Sequence, residues 1–246
     1  MDFHAALETD FARLVEVSSG NLDRPVPSCP GWTVDDLDRH VAGVYLHKVA
    51  CIRDGAEPKD WPPPQLAAEE PQALLRRAYR ELTGELAARA DEEPAGNWYE
   101  PDPTVGFWRR RMAQETVIHR IDAELAAGVP SVDVPDDLAL DGIDEVLRIF
   151  LEYSVTAWHK YFVEGLAGTD GRAVALAAGG RRWLVAIGPD TLTVTEGDAP
   201  AAAKLTGTPD ALLRWLWRRA DDATVTATGD PALVAKLREL LGTATQ

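Results

Sequence analysis

MAQETVIHRIDAE, residues 112–124, decides the reading of the whole chain. It is a strongly helical segment in which Glu115 and His119 stand four residues apart. Four residues turn an α-helix about 40° past a full circle, so carboxylate and imidazole project the same way with Cβ atoms about 6 Å apart. That is half of a metal site. On a helical wheel Met112, Glu115, His119 and Asp122 share one sector, while Val117, Ile118, Ile121 and Leu125 form the adjoining apolar stripe. Glu-x-x-x-His pairs also arise by chance on solvated faces, but this one borders the core. There a carboxylate beside an imidazole is costly unless the charges are paired or hold an ion.

A third ligand is found upstream, in TVDDLDRHVAGVYLHKVA, residues 33–50. His40 lies among Leu37, Val41 and Val44, and two imidazoles with one carboxylate leave a zinc coordination position open for chemistry. His47 shares that helix face and is the rival. Seven residues separate the two by about 10 Å along the axis, too far to share an ion, so His40 is preferred. Asp122, one turn beyond His119, is expected either to orient a ligand imidazole and act in proton transfer, or to form a salt bridge with a partner such as Arg120.

The composition bounds the function. At 246 residues with 46% hydrophobic content the chain is long enough for a sizeable core. Twenty-five Lys and Arg against 40 Asp and Glu give a formal charge of −15, which disfavours nucleic acid and anionic membranes as partners. No apolar run reaches the length of a membrane span, and the N-terminus MDFHAALETD has no basic region followed by an apolar block, so the expected location is the cytoplasm. Cys29 and Cys51 are too few for a disulfide framework and wrongly spaced for a CxxC motif. Cys29, in the turn before the Thr33 N-cap, reads either as a thiol of lowered pKa near a helix N-terminus or as a small buried hydrophobe. Any thiol chemistry is expected to use an external low-molecular-weight thiol.

The chain changes grammar along its length. Helices are expected near 2–19, 33–54, 69–91, 104–127 and 136–165, with proline-marked joints at PSCPGW, WPPPQ and GVPSVDVPDD. After Gly168 come short strand-like runs, RAVALAA, RWLVAIG, TLTVTE and AAKLTG, then a helix from PDALLRWLWRRA, a strand from ATVTATG and a helix from DPALVAKLRELL. The fold class is therefore α+β in two domains: an up-and-down helical bundle over 1–167 and a small α/β domain over 168–246. Trp215 and Trp217 read as core packing rather than a ligand box. Arg218 and Arg219 are either solvated surface or guanidinium donors to a carboxylate.

PSCPGWTVDDLDRHVAG (27–43) together with FWRRRMAQETVIHRIDAE (107–124) resembles the mycothiol-dependent maleylpyruvate isomerase family, within the DinB-like metal-binding bundles. The resemblance spans nearly the whole chain, and TGDPALVAKLRELL fits the ending of the family's sterol-carrier-like C-terminal domain. It implies one divalent metal on His40, Glu115 and His119, the trio the spacing nominates. It also implies mycothiol as thiol cosubstrate, and Arg219 as the contact for a carboxylate or the thiol cofactor. Zinc is the first expectation, with nickel, iron and manganese also suited to imidazole and carboxylate. The implied activity is cis-trans isomerisation, or transfer of the thiol to an electrophilic small molecule, with Asp122 and Arg219 as catalytic candidates. The competing class is a non-catalytic protein binding metal and a small ligand. Oligomeric state is not legible.

Overall fold

The structure, a computed structural model, describes residues 1–245 and divides into two compact units, Met1–Val132 and Asp133–Gln246. The first unit is built on four long helices: α1 (Phe3–Ser18), α2 (Val34–Asp54), α3 (Pro71–Ala87) and α4 (Val105–Ala127). Their starts are written in the sequence. Asp2, Thr33, Glu70 and Thr104 accept from backbone N–H groups of the first turn, and Thr33 with Asp36 completes a capping box. Gly55 and Gly128 end α2 and α4 in the left-handed conformation that a Cβ would penalise.

Helix α4 packs against α1 and α2, and α2 against α3. That central place explains why α4 is buried on nearly every side, charged residues included, rather than only along the expected apolar stripe. Leu125, assigned to that stripe, is exposed. Charge inside the unit is paired: Arg120 bonds Asp10 and Glu124, and Glu124 also accepts from Arg13 and Ser131. Arg120 is therefore engaged by Asp10 and Glu124 rather than serving as the alternative partner considered for Asp122.

The second unit begins with α5 (Asp136–Glu145), which runs through a wider, π-type stretch (Val146–Glu152) into α6 (Tyr153–Ala157). After a 3₁₀ turn and short α7 (Val163–Leu166) come strands β1 (Ala173–Ala178), β2 (Arg181–Ile187), β3 (Leu192–Glu196) and β4 (Ala203–Thr206). Helix α8 (Pro209–Leu216), β5 (Thr226–Gly229) and α9 (Pro231–Ala244) follow. The sheet order is β3-β2-β1-β4-β5. Strands β1 to β3 form the expected meander, joined first by Gly179 and Gly180, both at positive φ as a two-residue hairpin turn requires. Strand β4 crosses over to lie parallel to β1, and β5 closes the other edge antiparallel. One face is apolar, with Val174, Leu176, Trp183, Val185 and Leu205 buried. Trp215 and Trp217 are buried too, as core packing predicts.

The division between units falls at 132/133, whereas the sequence reading drew it at 167/168. The expected helix 136–165 is also interrupted at Trp158. The earlier boundary has a packing cause. The apolar positions Leu138, Ile143, Leu147 and Leu151 are buried, and this segment packs on α8, β3 and α9. Val194 N–H donates to Glu152 and the Trp183 indole to Asp144, so segment and sheet are hydrogen-bonded as well.

Candidate metal centre

Helices α2 and α4 bring His40, Glu115 and His119 together in the first unit, with one ligating atom from each lying within 4.8 Å of the others. Both imidazoles turn Nε2 toward the same carboxylate oxygen, Glu115 Oε1, at 3.3 Å from His40 and 3.2 Å from His119. The rings meet edge to face with centroids 4.9 Å apart. The His40 side chain is 37% exposed and His119 10%, so the group stands at the rim of the core with one side open.

The surroundings hold these groups from behind. His119 Nδ1–H donates to Asp122 Oδ2 at 2.9 Å, which fixes the ring and turns Nε2 toward the site. Asp122 is fully buried, and its other oxygen accepts from Ser28 Oγ at 2.5 Å. Cys29 Sγ lies 3.8 Å from Asp122 Oδ2, so the PSCPGW turn closes over the back of the site. Trp32, from the same turn, packs on His40 with centroids 4.8 Å apart. Arg111, buried one turn before Glu115, is ion-paired with that carboxylate.

Charge balance follows from this packing. Burial alone would raise the Glu115 pKa, but the Arg111 guanidinium and the His119 ring hold it well below the ordinary value. Burial alone would lower His119, yet the Glu115 and Asp122 carboxylates push it up to about 9. The position between the two imidazoles thus favours positive charge, carried by a proton or by a cation. Two imidazole nitrogens and a carboxylate oxygen suit a divalent transition metal and leave coordination positions for water or a ligand. The residues present fit such an ion.

His47 stands apart from this group, as its helical spacing requires. It contacts Cys51 and Lys48, and burial together with the Lys48 charge pushes its pKa down to about 4. Arg219 belongs to the second unit, just past α8, where Nη1 donates to the Trp217 carbonyl at 2.8 Å. Three participants were missed from the sequence. Arg111 was within reach, because it stands four residues before Glu115 on the same helix. Ser28 and Trp32 gave no such signal, since the turn that carries them meets α4 only through the fold.

The comparisons with known proteins extend over both units. The mycothiol maleylpyruvate isomerase N-terminal domain matches residues 4–124, and the C-terminal domain of the same family matches 137–236. No curated protein matches the sequence. Among solved structures, a mycothiol-dependent maleylpyruvate isomerase is similar with a TM-score of 0.62 and 15% identity, over 94% of this chain and 97% of that one. A point mutant of a mycothiol-dependent maleylpyruvate isomerase matches with a TM-score of 0.60 and 14% identity, over the same shares. At that identity the structures speak for the fold, a helical N-terminal region followed by a small mixed sheet with helices. Since the two family domains match in order and together span nearly all of the sequence, the chain belongs to the mycothiol-dependent maleylpyruvate isomerase family.

Proposed function

We propose that this protein is a metal-dependent isomerase that uses mycothiol to convert a cis double bond conjugated to carbonyl groups into the trans form. The observation that carries the reading is the convergence of His40 and His119, from separate helices, on one oxygen of Glu115. A divalent ion held there, zinc first and nickel, iron or manganese after it, would supply the Lewis acidity that ionises a thiol at neutral pH. Glu115 contributes one negative charge and Arg111 restrains it. Asp122 keeps the proton on His119 Nδ1, and Ser28 keeps Asp122 in place.

The thiolate adds to one alkene carbon, forming a C–S bond while the π pair moves onto the conjugated carbonyl oxygen as an enolate. The former double bond, now single, rotates. The enolate pair then returns, the C–S bond breaks, and thiolate and trans product leave with no net change in atoms or electrons. Arg219 is proposed as the contact for a substrate carboxylate or for the thiol cofactor, and Asp122 as the group that orients the His119 imidazole. Transfer of the thiol to an electrophile shares the first step and differs in release of the adduct.

Incubation of the pure, metal-loaded protein with mycothiol and maleylpyruvate, following isomer and adduct separately, tests the reading. Trans product is expected. Adduct alone assigns S-transfer, and neither product removes both activities on this substrate.

A further inference from the structure

Two turns along α2 from His40 lies a second group of donors, His47, Cys51 and Glu57, whose ligating atoms fall within 4.8 Å of one another. We propose that these three residues form a separate binding site for a borderline-soft divalent cation such as zinc, cobalt or cadmium. It differs in kind from the first group because it includes sulfur.

His47 and Cys51 stand at i and i+4, and His47 Nδ1 lies 3.4 Å from Cys51 Sγ. Glu57 comes from beyond the helix end. Gly55, at a φ of 66°, turns the chain back, and its N–H donates to the Cys51 carbonyl. The Gly96 N–H donates to that same carbonyl at 3.0 Å. Gly96 also approaches Ala56 so closely that a Cβ there would sit 2.4 Å from its backbone. The turn bearing Glu57 is therefore clamped by a second segment. Trp61 meets the His47 ring edge-on, 5.2 Å between centroids, and restricts that imidazole.

A cationic side chain already competes for this place. Lys48 Nζ lies 3.1 Å from His47 Nδ1 and 4.4 Å above the Trp108 ring. Burial pushes the Lys48 pKa down, with the Glu115 and Glu57 charges only partly opposing it, so the ammonium is held there weakly. An incoming cation replaces that ammonium, which swings out to water. The Cys51 thiol loses its proton to solvent as the metal–sulfur bond forms. Nitrogen, sulfur and carboxylate oxygen together suit zinc and its softer neighbours better than magnesium or calcium.

The test is a cobalt(II) titration of the full-length, reduced, metal-free protein, reading the near-ultraviolet charge-transfer band of thiolate bound to cobalt. Ligation by His40, Glu115 and His119 includes no sulfur and cannot produce it. The band is expected to saturate at one ion per chain, to vanish in Cys51→Ser and to persist in Cys29→Ser. His47→Ala and the surface change Glu57→Gln should each weaken the sulfur-linked affinity about tenfold or more. Lys48→Met should strengthen it. Absence of the band at saturation, its loss in Cys29→Ser, or indifference to both His47→Ala and Glu57→Gln overturns the proposal. In His40→Ala the band should remain, so failure of the first centre and failure of this one are read separately.

Discussion

Metal-binding histidines almost always have their second nitrogen fixed by a partner, and in the proposed centre that duty falls to Asp122, held in turn by Ser28. Asp122→Asn is expected to weaken zinc binding about 10- to 100-fold, and Ser28→Ala about tenfold, both by competition with a chromophoric chelator. Unchanged affinity in both variants would remove the relay. His40→Ala should abolish loading while moving the melting temperature little, because its side chain is 37% exposed. A different residue-scale expectation concerns Asp38, on the other side of α2. It is fully buried, and burial outweighs the bond from Ser18 to push its pKa up to about 7. The folded carboxyl therefore binds its proton more tightly than the unfolded one. Its unfavourable contribution is absent below about pH 4 and complete above about pH 7. Asp38→Asn should thus stabilise the protein by a few kcal/mol at pH 8 and not at pH 4, in urea melts at both values. An equal effect at the two pH values would count against this account.

At the scale of elements, two packing choices stand out. Helix α4 is the centre of the first unit, so its polar residues are buried and must find partners, which is why the Glu115–His119 pair and the Arg120–Glu124 pair coexist on one helix. In the second unit the β4–β5 edge depends on Gly229. Its φ is 85°, and a Cβ there would lie 2.3 Å from the Ala202 carbonyl oxygen. Gly229→Ala should cost about 2 kcal/mol or more, since neither backbone can give way cheaply. Chemical denaturation would measure it, and a loss within about 0.5 kcal/mol would show that the edge relaxes instead.

At the scale of the molecule, each unit buries its own apolar core. The helical segment from Asp136 supplies Leu138, Ile143, Leu147 and Leu151 to the second of them. A chain beginning at Asp133 should therefore unfold as one cooperative transition by circular dichroism, whereas one beginning at Gly168 should not. Equal cooperativity would mean that the sheet with α8 and α9 suffices. The charge of −15 still sets the company the molecule keeps, because a surface of that sign repels polyanions whatever lies within the units.

What the sequence by itself determined was everything carried by short-range geometry. Helix starts were legible because capping side chains act within three residues, and Glu115 with His119 because helical spacing alone puts them on one face. The strands were legible as short apolar runs between glycine-rich turn signals. Tertiary structure alone decided the rest. That His40 meets the other two, that Ser28 reaches Asp122 across 94 positions, and that β4 pairs with β1 all depend on chain segments distant in sequence. It also decided that the helix after Pro135 serves the sheet, because an apolar stripe states that it will be buried but not against what.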